Sequence, residues 1–309
     1  MLRLIVGRLV GGVAVLAAVA TIAFFLLHAA PGGPFDGERR LQPSVQRNIE
    51  DRYHLNDPLW RQYTTYMRGL AHGDLGYSMK RPESVGAIIK RHFPYSLILG
   101  ALAIGFAALF GTAMGVVAAA RRNSWLDHGV MAIAMIGISV PALVLGPLAI
   151  RYLALGLGWL PAARVDQAAG YVAPSVILGL IYAGTIARLA RTGMIETLDA
   201  DFIRTARAKG ASERAVVWRH ALRLGVVPVV SYLGPATAGL VSGSFVVEKI
   251  FQIPGLGFYF IDSVASRDYP VLTGMLVFYV GLLIALNLVV DVAYGWLDPR
   301  VRARASGAP

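Results

Sequence analysis

Six long stretches of the 309-residue sequence contain no Asp, Glu, Lys or Arg, and they constrain the fold more than any other feature. A helix crosses a membrane with about 20 apolar residues, and one charge at its centre costs about 2.5–3.5 kcal/mol. The stretches contain 21 to 27 residues each, and they are Leu9–Phe35, Tyr95–Ala120, Gly129–Ile150, Gln167–Ala187, Leu224–Val247 and Tyr269–Val290. The sequence therefore predicts an all-α polytopic membrane protein with six transmembrane helices.

The remaining charges indicate how the chain is oriented. Hydrophobic residues make up 56% of the sequence and charged residues only 15%, yet the net charge is +11. Such a charge would suit nucleic-acid binding, but its distribution follows membrane topology instead. With the N-terminus in the cytoplasm, the cytoplasmic segments hold 15 Lys and Arg residues, whereas the two short outer loops hold four. Because cytoplasmic loops are enriched in Lys and Arg, both termini are predicted to be cytoplasmic, with no nucleic-acid partner.

The polar stretches divide the chain into four parts. Residues 1–35 are predicted to be a retained transmembrane helix, because their uncharged run exceeds the roughly 7–15-residue core of a cleaved signal peptide. Residues 36–94 are predicted to form an extracytoplasmic helical cap, which either packs on the helix ends or docks an external partner. Residues 95–300 contain the other five transmembrane helices, and residues 301–309 form a cytoplasmic tail.

One polar segment, residues 188–223, interrupts the apolar part of the chain with eight Lys or Arg and four Asp or Glu residues. A short amphipathic helix is predicted within it, with an apolar face formed by Phe202, Ile203 and Ala206. Gly210 can end this helix, because glycine adopts the left-handed cap conformation without steric cost. Ser212 can then cap a second helix. Two helices separated by a glycine turn predict a docking surface for another protein.

Prolines and glycines inside the apolar stretches predict where a transport pathway would lie. Pro141 interrupts the third stretch, and a Gly-Pro pair interrupts the fifth. Helix breaks within a membrane are tolerated where neighbours or a water-filled cavity satisfy the freed backbone groups. The pairs Gly111/Gly115 and Gly239/Gly243 have the four-residue spacing that lets helices pack closely. The candidate pathway residues are Pro141, Gly234, Pro235, Gly239 and Gly243.

The sequence lacks the residues that a self-contained enzyme or pump would use. It contains no G-x-x-x-x-G-K-[ST] phosphate loop, its six histidines are isolated, and it has no cysteine. Ion-coupled transporters place ionisable residues inside their spans, whereas here only Asp291 adjoins a span, near its end. The chain is therefore predicted to have no catalytic or metal site and to receive its energy from a separate protein.

Residues 201–228, DFIRTARAKGASERAVVWRHALRLGVVP, resemble the cytoplasmic loop of ABC importer permease subunits, usually written E-A-A-x-x-x-G. Gly210 falls on the motif glycine and Ala206 on the second alanine, whereas Arg204 replaces the glutamate and Thr205 the first alanine. The form R-T-A-R-A-K-G is usual in the peptide-permease branch. Other segments are similar to the first membrane subunit of the oligopeptide permease, and they include APGGPFDGER (30–39), YHLNDPLWRQY (53–63), LAHGDLG (70–76), ARLARTGMIE (187–196) and VDVAYGWLDPR (290–300).

This resemblance implies a type I ABC importer permease fold in the bacterial inner membrane. The implied partners are a second homologous permease subunit, two ABC ATPase subunits, an extracytoplasmic peptide-binding protein and membrane lipid. ATP and magnesium would bind the ATPase subunits, so this chain would hold no cofactor of its own. In the family a short coupling helix enters a groove of an ATPase, and the implied contact residues are Arg204, Ala206, Arg207, Lys209, Gly210, Ala211, Ser212, Glu213 and Arg214.

The resemblance also implies a function. The chain would form the translocation pathway for oligopeptides, with alternating access driven by the separate ATPase subunits. Relatives that carry dipeptides, glutathione or nickel leave the substrate open within this class. A self-contained secondary carrier or channel, and a membrane scaffold or receptor without transport, are the alternatives from other classes.

Overall fold

The computed structural model describes residues 2–30, 56–161 and 167–297, and helices make up most of this part of the chain. Two π-helical segments, Ile150–Gly156 and Val216–Ala221, and a 3-10 turn at Ala168–Tyr171 connect α-helices. The α-helices are α1 (Leu2–Ala29), α2 (Leu59–Ala71), α3 (Val85–Ala120), α4 (Trp125–Ser139), α5 (Ala142–Ala149), α6 (Val172–Leu198), α7 (Asp201–Ala208), α8 (Glu213–Ala215), α9 (Leu222–Gly225), α10 (Val227–Gly243), α11 (Phe245–Ile250), α12 (Leu256–Ser266) and α13 (Tyr269–Leu297). The all-α prediction is confirmed for the described residues.

Four described segments are long and apolar enough to cross a membrane, and they are Val6–Ala29, Val85–Ala120, Ala168–Leu198 and Tyr269–Val289. A fifth candidate arises if α4 and Ala142–Gly156 count as one span, because they meet at a bend of 98°. The predicted fifth span is divided among α9, α10 and α11, and its longest piece, α10, has 17 residues. The described residues thus contain four or five spans by this measure, against six predicted.

Parts of the predicted domain division lie outside the described residues. The predicted first helix (1–35) is described from residue 2 to residue 30, and α1 ends at Ala29. The predicted outer cap (36–94) is described from residue 56 onward. The predicted cytoplasmic tail (301–309) lies entirely outside the described residues.

The chain divides into two compact units, and the first combines Met1–Tyr95 with Pro254–Pro309. Its longest helices, α1 and α13, pack against each other. Gly12 lies at this contact, where an added Cβ would be 2.8 Å from a side-chain carbon of Ile284. The first unit is therefore assembled from the two ends of the sequence.

Aromatic and polar contacts attach α2 and the turn after it to the first unit. The rings of Tyr66 on α2 and Phe24 on α1 stack with their centroids 5.7 Å apart. The buried carboxylate of Asp268 accepts hydrogen bonds from the Ser78 hydroxyl and, at 3.1 Å, from the Met79 N–H. These contacts position the described part of the predicted cap.

The second unit, Ser96–Ile253, is built around α6, which packs against α4, α5 and α10. Glycines allow the closest approaches to α6. A Cβ added at Gly115 of α3 would lie 2.4 Å from a carbonyl oxygen of α6, and one at Gly111 would lie 2.5 Å from another. Gly184 of α6 similarly meets a carbonyl oxygen of α4 at 2.4 Å. The predicted close packing at Gly111 and Gly115 is confirmed.

Candidate docking loop

The docking loop, residues 201–215, contains the helix, glycine turn and helix start that the sequence predicts. At the end of α7 the Ala211 N–H donates to the Ala206 carbonyl at 3.1 Å, and the Gly210 N–H donates to the Arg207 carbonyl at 2.9 Å. These two bonds form a Schellman motif, which requires a left-handed residue just past the helix. Gly210 supplies it with φ +84°. The turn is therefore fixed by backbone hydrogen bonds as well as by sequence.

The helix after the turn begins at the predicted cap. The Ser212 side chain accepts a hydrogen bond from the Ala215 N–H at 3.4 Å. The continuation differs from a regular α-helix, because residues 216–221 are π-helical. Hydrogen bonds in a π-helix join residues five apart, which brings Val216 and Ala221 toward one side, and both are fully buried. Burial of these two side chains accounts for the wider turn.

An ion pair joins the two sides of the glycine turn. Arg207 Nε lies 2.7 Å from Glu213 Oε1, and Arg207 Nη2 lies 3.2 Å from Oε2. This hydrogen bonding lowers the pKa of the Glu213 carboxyl and raises the pKa of the Arg207 guanidinium. A bidentate arginine–carboxylate pair fixes the mutual orientation of its side chains. It therefore links the end of α7 to the start of α8.

A buried apolar cluster seats the docking loop. Its members come from α3, α6, α7 and the π-helical segment, and they are Val116, Ala119, Met194, Ile203, Val216 and Ala221. Ile203 is the one buried residue of α7. Ala211, at the turn, packs against the edge of the cluster. The loop is consequently packed as one piece with the end of α6.

The residues implied as ATPase contacts lie together on this loop. Those that are exposed are Arg204, Arg207, Lys209, Gly210, Ser212, Glu213 and Arg214, while Ala206 and Ala211 are half-buried. Arg204, at the position of the family glutamate, lies 3.3 Å from Asp201 on the exposed side of α7. The loop thus presents a mostly basic surface.

Two aromatic side chains on this surface were missed by sequence reasoning. Phe202 was predicted to share the apolar face with Ile203, but 43% of its surface is exposed. Adjacent helical residues point about 100° apart, so burying Ile203 turns Phe202 toward solvent. Trp218, in the π-helical segment just after the docking loop, is also exposed, at 56%. The sequence contains a signal for the exposure of Phe202: this residue directly precedes Ile203, and two neighbouring helical residues cannot both face the same buried cluster.

The candidate pathway residues all belong to the second unit. Pro141 precedes α5 at the bend between α4 and α5. Gly239 of α10 faces α6, where an added Cβ would lie 2.8 Å from the hydroxyl oxygen of Tyr182. Gly243 is the last residue of α10. Contact between these residues and a substrate stays a prediction.

The predicted break at Gly234 and Pro235 is wrong, because α10 continues through both residues. The α-helical run is divided at Val226 and Ser244 instead. A proline inside a helix removes one backbone hydrogen bond, but neighbouring helices in a membrane protein can compensate for this loss. Packing of α10 on α6 provides such a neighbour.

Three described histidines contact a backbone carbonyl of their own helix or helix end, whereas His92 Nδ1 lies 2.8 Å from the carbonyl oxygen of Pro254, which is distant in sequence. Nδ1 of His28, His72 and His128 each lies 2.8 Å from the carbonyl oxygen four residues earlier. Within residues 2–30, 56–161 and 167–297, no three His, Asp or Glu side chains form a group that could hold a metal ion. The docking loop is accordingly the main candidate site in the described chain.

Two protein-family models match the sequence. The model of the binding-protein-dependent transport system inner membrane component matches residues 111–303. The model of the N-terminal part of such membrane components matches residues 1–100. The matched regions include the docking loop and most of the apolar stretches.

Curated relatives are similar over nearly the full length. The chain is 42% identical to the dipeptide transport system permease protein DppB of Bacillus subtilis (strain 168), with 99% of this chain and 100% of that protein covered. It is 42% identical to the oligopeptide transport system permease protein OppB of Escherichia coli (strain K12), with 98% and 100% covered. It is 38% identical to the glutathione transport system permease protein GsiC of Escherichia coli O6:H1, with 98% and 99% covered.

Solved ABC transporter structures share the fold over about two thirds of the chain. An inward-facing MetNI methionine ABC transporter matches with a TM-score of 0.58 and 21% identity, covering 68% of this chain and 96% of that one. An amino acid ABC transporter matches with a TM-score of 0.52 and 14% identity, covering 67% and 92%. At these identities the similarity concerns the fold.

Proposed function

Because the chain belongs to the family of binding-protein-dependent transport system inner membrane components, we propose that its docking loop binds separate ATPase subunits. Conformational changes of these subunits would then displace the loop during peptide import. The chain is a multi-pass membrane protein and a permease subunit of the peptide ABC importer class. The observation that carries the proposal is the exposed docking loop seated on a buried apolar cluster.

The geometry of the docking loop suits force transmission. A loop that moves independently would absorb the displacement of a partner, whereas a packed loop passes it on. Ile203 is fully buried in the cluster, and Met194 of α6 belongs to the same cluster. A displacement of α7 therefore acts directly on α6. Packed interiors transmit such displacements because they are close to crystal density.

The membrane arrangement we propose has six spans with both termini in the cytoplasm. The bent pair of α4 and α5 with its π-helical extension would be the third span, and the broken run from α9 to α11 would be the fifth. Breaks of this kind occur where backbone lines a cavity or is covered by protein. The translocation pathway would lie near these two spans, with Pro141 and Gly239 as candidate lining positions.

The proposed complex contains this chain, a second homologous permease subunit and two ATPase subunits that bind ATP and magnesium. An extracytoplasmic peptide-binding protein would deliver the substrate at the outer face of the bacterial plasma membrane. Oligopeptides are the proposed substrates, because the sequence segments that resemble the oligopeptide permease occur throughout the chain. Dipeptides, glutathione and nickel are the alternatives within this class.

Reconstitution tests this proposal. The chain would be purified together with the products of neighbouring transport genes and placed in liposomes, with and without the ATPase subunits. We expect uptake of labelled oligopeptides only when ATPase subunits, ATP and binding protein are all present. Uptake by the chain alone would instead indicate a self-contained carrier or channel, and intact peptide uptake in cells lacking the gene would indicate a scaffold.

The substrate is tested in the same liposomes. Separate reactions would contain labelled oligopeptide, dipeptide, glutathione or nickel, each with the cognate binding protein. We expect the greatest stimulation of ATP hydrolysis and uptake with oligopeptide. Preferential uptake of another member of the set would keep the importer assignment and replace the substrate.

Glu213→Gln is expected to weaken binding of the ATPase subunits modestly, by about twofold, as is typical for an exposed ion pair. The substitution leaves Arg207 without its carboxylate partner and loosens the glycine turn. Because the folded pKa of Glu213 is lowered, the stabilisation is complete above the ordinary carboxyl pKa and is lost as the pH falls through the lowered one. The measurement is the affinity of the purified ATPase subunits at neutral pH.

Glu196→Gln is the matched control for this prediction. Glu196 is an exposed residue of α6, and its substitution changes the net charge by the same amount. We expect its ATPase affinity to equal that of the wild type. Equal losses in both variants would attribute the effect to net charge rather than to the ion pair.

A further inference from the structure

A carboxylate at the start of α4 is buried in the second unit. Asp127 is 1% exposed, and it lies in the first turn of α4. The Ser124 side chain caps this turn by accepting from the Asp127 N–H at 3.3 Å. Asp127 Oδ2 in turn accepts from the Asn123 N–H at 2.9 Å. Asp127 is thus fixed to the turn that joins α3 and α4.

The same carboxylate is held by an arginine from α6. Arg191 Nε donates to Asp127 Oδ1 at 2.7 Å, and Arg191 Nη2 donates to Oδ2 at 2.8 Å. The two residues are 64 positions apart in the sequence. Parallel bonds from a planar guanidinium fix both distance and orientation. The start of α4 and the last part of α6 are therefore joined by a directional contact.

This contact lies between the docking loop and the bend in the predicted third span. Toward the loop, α6 ends at Leu198 and α7 begins at Asp201. Away from the loop, α4 runs from the Asp127 turn to the bend of 98° before α5. A displacement of α6 that follows the docking loop therefore reaches the bend through the Arg191–Asp127 pair.

The opposite side of α6 is held to the segment that follows the docking loop. A Cβ added at Gly193 would lie 2.3 Å from the carbonyl oxygen of Gly225. This contact is backbone against backbone, so α6 and α9 are closely packed here. The Arg191–Asp127 pair is the polar contact on the α4 side of the same helical turn. The end of α6 thus connects both neighbouring segments.

Stability alone does not explain an ion pair in this position. Asp127 is removed from water, whereas 29% of the Arg191 side chain stays exposed. The cost of burying a carboxylate can offset much of its attraction to an arginine, and an apolar pair of similar size is often as stable. What apolar side chains do not reproduce is the fixed orientation of two parallel hydrogen bonds. A role in positioning α4 relative to α6 therefore accounts for the pair better than a contribution to folding.

From this geometry we infer that Arg191 and Asp127 are positioning residues, which couple movement of the docking loop to α4 and to the bend at Pro141. The inference rests on the proposed function, because it takes the docking loop as the input from the ATPase subunits. Neither residue needs to contact an ATPase or a substrate. Without the pair, α4 would still pack on α6 through contacts such as that of Gly184, but the orientation of its first turn relative to the docking-loop end of α6 would no longer be fixed.

The test uses the complete reconstituted complex and two single variants. Asp127→Asn removes the charge with little change in shape, and Arg191→Lys keeps the charge but loses the paired hydrogen bonds. We expect the number of peptides imported per ATP hydrolysed to fall about tenfold in both, within the usual range of a coupling free energy. ATPase subunit binding per folded complex should stay at the wild-type level.

Arg122→Gln is the matched control. Arg122 donates a hydrogen bond to Asp199 at 2.7 Å, and this pair joins the turn before α4 to the end of α6. The side chains of both residues are more than half exposed. We expect wild-type coupling in this variant, since an exposed pair contributes little. Equal uncoupling in Arg122→Gln and Asp127→Asn would overturn the assignment to the buried pair.

A double variant separates positioning from stability. Asp127→Leu with Arg191→Met replaces the pair by apolar side chains, and its thermal midpoint is expected to stay near that of the wild type while coupling stays low. Restored coupling in the double variant would overturn the inference, and so would normal coupling in both single variants. A wild-type complex that imports peptide without ATP would instead overturn the proposed function itself.

Discussion

Gly210→Val is expected to reduce ATP-driven peptide uptake about tenfold, because the left-handed conformation costs an L-residue about 1–2 kcal/mol and each 1.4 kcal/mol is a factor of ten. Gly210 has φ +84°, and an added Cβ would meet no atom within 4 Å. The effect therefore comes from the backbone of the turn and not from a clash. The hydrogen bond from the Ala211 N–H to the Ala206 carbonyl would be lost with it.

The measurement is peptide uptake and ATP hydrolysis in liposomes, together with the amount of ATPase that copurifies with the chain. We expect hydrolysis without uptake, or release of the ATPase subunits. Gly210→Asn should retain most activity, since asparagine also occurs at left-handed helix ends. Normal assembly and uptake by Gly210→Val would remove the turn from the docking site.

Gly158→Val controls for the general effect of strain. Gly158 has φ +64° and also has no neighbour within 4 Å of an added Cβ, but it lies outside the docking loop. The two substitutions introduce the same side chain into similar backbone conformations. We expect the Gly158 variant to keep the wild-type ratio of uptake to hydrolysis.

Gly115→Leu is expected to prevent accumulation of folded protein. A Cβ at this position would lie 2.4 Å from the Ala187 carbonyl oxygen and 2.5 Å from the Ala190 Cβ. Backbone atoms cannot move aside without separating α3 from α6. Even Gly115→Ala should destabilise the chain by about 1–3 kcal/mol, the usual cost of overpacking. The measurements are the yield of monodisperse protein in detergent and its thermal midpoint.

Gly105→Leu provides the comparison within the same helix. Gly105 is an exposed residue of α3, and an added Cβ there would have no neighbour within 4 Å. We expect yield and thermal midpoint to match the wild type. Equal instability of the two leucine variants would mean that glycine is needed for α3 itself and not for its contact with α6.

The features predicted correctly from the sequence are those with local causes. Four of the six uncharged stretches coincide with described helices that are long and apolar enough to span a membrane. Such stretches predict spans because hydrocarbon penalises charge at each position separately. Gly210 and Ser212 predict a turn and a cap because each acts on residues within one helical turn. The basic surface of the docking loop could also be predicted from the sequence, because a charged side chain lies at the surface without needing a contact with a distant segment.

The features that were missed depend on contacts between distant segments. In the sequence Asp127 is a single polar residue near a short loop. Only the fold brings Arg191 of α6 next to it. Whether Phe202 or Ile203 faces inward depends on which side chain packs in the buried cluster, and distant segments form that cluster. The continuation of α10 through Pro235 likewise depends on packing that a single segment does not reveal.

The contact between α1 and α13 has a consequence for how the chain is made. α1 is synthesised before the second unit and α13 after it, so Gly12 can meet Ile284 only after the whole second unit has been made. The second unit is continuous in sequence, and continuous units can fold during synthesis. A nascent chain can therefore contain a folded docking loop before α1 has packed against α13. If the docking loop binds ATPase subunits as proposed, that binding can begin before α13 has been synthesised.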